Sequence, residues 1–118
     1  MKRADLMRLK AIADMKRDAD LQNVSRIAAQ MAALQADIDR IRNHTRTRAA
    51  SLDLDAARMS GADVKWQQAS EQHLRALQQR RAGLAAAREG YLGVARKSFG
   101  RAEALRMLAD SRAKPRST

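Results

Sequence analysis

Histidine appears twice, at His44 and His73, and cysteine not at all. No HExxH pair and no third ligand at a workable spacing accompanies either imidazole, so no metal site is expected. Carboxylates occur close together at Asp37 and Asp39 and again at Asp53 and Asp55. On a helix a step of two residues sends side chains to diverging faces, which prevents either pair from acting as an acid and base couple. There is no phosphate-binding loop, no GxGxxG turn and no nucleophile elbow. These residues predict no enzyme, no cofactor and no small-molecule substrate, and what remains is cationic chemistry.

The chain carries 24 Lys and Arg against 13 Asp and Glu, a formal charge of +11. Such an excess favours acidic partners: nucleic acid, anionic lipid or an acidic protein surface. Arg80, Arg81, Arg88, Arg96, Lys97, Arg101 and Arg106 thicken the second half, where residues 61–118 hold twelve basic against five acidic residues; residues 1–60 hold twelve against eight. We take Arg96, Lys97, Arg101, Arg106, Arg8 and Lys10 as candidate protein-binding residues. Nothing aromatic is interleaved for base stacking, and no basic region runs on into a zipper, so nucleic acid is the less favoured partner.

The element that must position these cations is a helix. From Val24 the large apolar residues are Val24, Ile27, Met31, Leu34, Ile38 and Ile41, at intervals of three, four, three, four and three. An average of 3.5 residues makes one narrow stripe, the seam of a coiled coil rather than the broad face of a globular helix. Aromatic residues are only 3% of the 118, and the one proline is Pro115, so the expected core is long and thin and the expected fold all-α.

Ser60-Gly61-Ala62-Asp63 is the strongest punctuation. Gly61 suits the left-handed conformation that ends a helix, and Ser60 or Asp63 can cap the next one. The prediction is a long antiparallel two-helix coiled-coil hairpin over residues 1–112. It has a helix over about 4–59, a turn over about 60–63, a helix over about 63–112, and a disordered basic tail at 113–118. The second seam is expected at Trp66, Leu74, Leu77, Leu84, Ala87, Tyr91, Val94, Ala102, Leu105 and Leu108. Folding about Gly61 sets Ile38 beside Leu84, Leu34 beside Ala87, Met31 beside Tyr91 and Ile27 beside Val94.

Three stretches depart from this scheme. Leu6, Leu9, Ile12, Met15 and Ala19 recur at intervals of three and four but out of phase with the later stripe, and the strict stripe meets Lys16, Arg17 and Asp20. That suggests a slip of register or a segment facing a partner. Asn43, Thr45 and Thr47 are poor helix formers, yet Leu52, Ala56 and Met59 extend the stripe, favouring a continuous helix. Gly83, Gly90, Gly93 and Gly100 form a row of their own, read either as close packing of the two helices or as flexibility or contact with an external surface. No apolar run reaches membrane-spanning length, and the opening MKRADLMRLKAIADMKR has no h-region, so a cytoplasmic chain is expected.

A basic helical hairpin of this length, opening with LMRLKAIADMKRDADL and turning near its midpoint, resembles the FliJ and YscO group of type III export proteins over Leu6 to about Ala109. The resemblance implies a stalk whose termini-end enters the hexameric ring of an export ATPase and which contacts the export gate and chaperones, peripheral to the cytoplasmic face of the inner membrane. Two other readings stand beside it. One is a basic coiled coil that binds nucleic acid; the other is a homo-oligomer in which Leu54, Leu92 and Phe99 seal two hairpins into a four-helix bundle.

Overall fold

The computed structural model describes residues 2–51 and 61–113. The expected cap at Ser60, the stripe through Leu52, Ala56 and Met59, Leu54 and the tail at 114–118 lie outside the described residues. The fold is an all-α helical hairpin. Helix α1 spans Arg3–Ser51 and helix α2 spans Ala62–Ala113. No glycine or proline interrupts α1. Charged neighbours one turn apart, such as Lys10 with Asp14 at 3.0 Å and Arg106 with Asp110 at 3.0 Å, each add roughly 0.2–0.5 kcal/mol of local support.

Residues 43–51 are helical throughout. The Thr47 hydroxyl donates to the Asn43 carbonyl at 2.9 Å, and Arg46 donates to the Asn43 side chain at 3.0 Å. These bonds direct the polar groups of poor helix formers back onto the helix instead of away from it.

Gly61 has φ +78° and its carbonyl accepts from the Lys65 amide at 3.3 Å, so Gly61 itself opens α2. Asp63, expected as a cap, instead lies within the first turn. There its carboxylate meets the helix dipole and accepts a 3.0 Å bond from Arg48 Nε.

Contacts divide the chain into a terminal unit, Met1–Ala28 with Ala87–Thr118, and a central unit, Ala29–Ala86. In the central unit Leu34, Ile38 and Leu77 are buried together, with Ile41, Leu74 and Leu84 packed against them. Ile38 is 2% exposed and anchors this cluster. Leu84, expected beside Ile38, packs against the cluster that Ile38 anchors, as does Leu74. In the terminal unit Asp20 meets Ser98, four residues short of Ala102, which folding about Gly61 would set opposite it.

The phase of the seam brings larger corrections in the terminal unit. On α1 the sheltered positions Leu6, Lys10, Ala13, Arg17, Asp20, Val24 and Ile27 alternate by four and three with no slip, with Asp14 and Asn23 half-buried at the edge of the stripe. Leu9, Ile12 and Met15, expected inside, are 41%, 62% and 71% exposed, and Ala19 is exposed as well. Each step of three falls short of a full turn by about 60°, so the run from Leu6 to Met15 winds off the stripe. On α2 Trp66, Leu74, Leu77, Leu84, Ala102 and Leu105 lie on the sheltered side as expected, but Ala87, Tyr91, Val94 and Leu108 are exposed. Arg88, Leu92, Ala95, Ser98 and Ala109 take those places.

A Cβ built on Gly83, Gly90, Gly93 or Gly100 meets nothing within 4 Å, which removes close packing of α1 on α2 as the reason for these glycines.

Two stability measurements follow from this packing. Ile38→Ala should lose about 2–3 kcal/mol in urea unfolding monitored by far-UV circular dichroism, since it leaves a cavity in a core with few other large residues. Gly90→Ala with Gly93→Ala should raise the melting temperature, through up to ~2 kcal/mol of helix propensity. A lower melting temperature would mean that the row is packed against something in the folded chain.

Candidate docking surface

All six candidate binding residues fall in the terminal unit. They are not equivalent there. Lys10 is half-buried on the seam and holds Asp14 at 3.0 Å. Arg106 holds Glu103 at 2.5 Å and Asp110 at 3.0 Å. The Arg106 hydrogen bond keeps the Glu103 carboxyl below its usual range, and Glu103 in turn raises the Arg106 guanidinium above its own. Arg8 is extended into solvent, 3.9 Å from Asp5. Arg96, Lys97 and Arg101 are exposed and make no ion pair among the described residues. They are the cations most available to a partner.

Beneath this surface lies a polar contact where a coiled coil would ordinarily place apolar side chains. Asp20 is 6% exposed and Ser98 3%. The Ser98 hydroxyl donates to Asp20 Oδ2, and Lys16 Nζ donates to both carboxylate oxygens at 2.8 Å. Lys16 lowers the Asp20 pKa most, Ser98 adds to this, and burial opposes both. The interruption at Lys16, Arg17 and Asp20 was legible in the sequence, whereas the partner Ser98 was not. A serine three residues after Ala95 and four before Ala102 was the only clue.

Along the flank of this contact runs a shallow groove lined by Leu9, Ile12, Ala13, Lys16, Ser98 and Arg101. Its apolar walls are the residues that wound off the seam. Val94, Arg101 and Leu108 recur at heptad spacing on α2, so an exposed valine, arginine and leucine succeed one another along one side of that helix.

The central unit carries a separate aromatic cluster. Arg48 stacks over Trp66 at 4.4 Å, and His44 meets the same ring edge-on at 5.4 Å. Arg48 thereby ties α1 to both Trp66 and Asp63 of α2. His73 is exposed on α2. No family model, curated protein or solved structure matches this chain.

Asp20 gives the site a pH signature. Its folded pKa lies below the unfolded value, so its contribution is complete above roughly pH 3.9 and is lost as pH falls from there through the folded value. Melting temperatures taken from neutral pH downwards should therefore drop more steeply for the wild-type chain than for Asp20→Asn below that point. Parallel curves would show that the buried carboxylate is not coupled to folding.

Proposed function

We propose that this chain is a non-enzymatic coiled-coil stalk and escort of a type III export apparatus, docking by its terminal unit into the ring of an export ATPase and linking that ring to the export gate or to chaperones. One observation carries the reading: Arg96, Lys97 and Arg101 stand exposed and unpaired among the described residues, on a helical hairpin with the resemblance described above. A two-helix hairpin suits the inside of a ring, and cations unpaired among the described residues suit an acidic lining. Its place of work in this reading is the cytoplasm, against the inner face of the inner membrane.

The test is charge reversal at two places with a purified export ATPase. Arg96→Glu, Lys97→Glu and Arg101→Glu together should abolish binding and stimulation of ATP hydrolysis with helicity unchanged, because exposed charges contribute little to folding. Arg40→Glu with Arg46→Glu, in the central unit, should change binding far less. Arg48 is left intact because it stacks on Trp66 and holds Asp63. Equal losses at both places, with duplex DNA binding that weakens steeply as salt rises, would overturn the stalk reading in favour of nucleic acid.

A further inference from the structure

We infer that the groove lined by Leu9, Ile12, Lys16 and Arg101 is a docking site for an acidic amphipathic helix of a partner protein. The inference shares the terminal unit with the stalk reading but needs neither an ATPase nor an export machine. Its first support is the apolar surface. Leu9 and Ile12 are 41% and 62% exposed, and Val94 and Leu108, one heptad either side of Arg101, are 45% and 53% exposed. Large aliphatic residues left outside a coiled-coil seam, two of them lining a groove, are a surface of the kind that partners cover.

The second support is charge. Residues 2–28 and 87–113 of the terminal unit hold thirteen Lys and Arg against seven Asp and Glu. Six of the seven acids are already committed: Asp5, Asp14, Asp18 and Asp20 to cations of α1, and Glu103 and Asp110 to Arg106. The cations left over include Arg101, which lines the groove, and Lys97, one turn before it on the same side of α2. An apolar floor beside unpaired cations is complementary to a helix with aliphatic residues at i, i+3 or i+4 and i+7 and with Asp or Glu on its flank.

The same surplus charge argues against a second copy of this chain, since two such faces would repel. Shape argues against a lipid bilayer. Leu9, Ile12 and Ala13 of α1 line a trough walled on its other side by Ser98 and Arg101 of α2, which accepts the ridge of a third helix better than a flat surface.

The experiment is a selection from a displayed library of single-helix peptides about five turns long, with fixed aliphatic residues at helical spacing and flanks free to be Glu, Lys, Gln or Ser. The full chain is the target, and the best peptides are then measured by fluorescence anisotropy. Selected flanks should be acidic. Binding should weaken at least tenfold with Ile12→Ser, a substitution at an exposed position whose helicity is checked by circular dichroism. Arg101→Glu should turn the selected flanks from acidic to basic. The inference is overturned if no peptide is enriched, if the flanks are basic or unbiased, or if binding ignores both substitutions. It is equally overturned if the chain sediments as a dimer dispersed by Ile12→Ser, or if it binds phosphatidylglycerol vesicles through this face while binding no peptide. Loss of peptide binding with ATPase stimulation intact would remove the groove alone, and the reverse result would remove the stalk reading alone.

Discussion

Two helices packed side by side shelter only the side chains that face each other, and this single narrow seam governs everything else in the protein. Its phase is set where the apolar residues are largest. Leu34, Ile38 and Leu77 form the buried cluster of the central unit, and the alternation of three and four established there continues along α1 to Leu6. A helix cannot change phase without inserting or removing part of a turn. Residues that do not fall on the stripe are therefore left outside it, however apolar they are.

The terminal unit shows the cost of that rigidity. Its seam positions include Lys10, Arg17 and Asp20 on α1 and Arg88 and Ser98 on α2. Asp20 is accommodated because Lys16 and Ser98 satisfy its oxygens. Arg88 is accommodated differently: its stem shelters in the seam while Nε is covered and lacks a hydrogen-bond partner. Arg81 repeats this in the central unit. An apolar residue in any of these places would pack more simply. The counterpart of the polar seam is an apolar exterior, supplied by Leu9, Ile12, Val94 and Leu108, the first two in a groove that Arg101 also lines. The proposed docking chemistry follows from this exchange of polar and apolar positions.

Much of the helical framework could be read from the residues. The stripe from Val24 to Ile41 is sheltered along its length, and Gly61 does adopt the left-handed conformation. Tyr91 and Val94 are large enough to look like seam residues, yet in that stretch the seam takes the small Ala95 and Ser98. Leu9, Ile12 and Met15 look amphipathic within their own segment, and only the fixed phase of the partner helix shows that they face outward. The contact of Asp20 with Ser98 escaped for a different reason, since two polar residues that satisfy each other leave no mark in an apolar stripe. Of the site, the exposed cations were legible as a cluster, but which of them are already held by Asp or Glu depends on neighbours in space.

The phase of the seam in the terminal unit can be probed one position at a time, because the chain has no native cysteine. Single cysteines at Leu9, Ile12, Ala13, Met15 and Ala95 would be labelled with a maleimide in the folded protein, each rate being compared with that of the same variant in denaturant. With the seam in the phase described, labelling is rapid at positions 9, 12 and 15 and strongly suppressed at 95, with position 13 slower than its neighbours at 12 and 15. Protection at 12 and 15 with rapid labelling at 13 and 95 would contradict it.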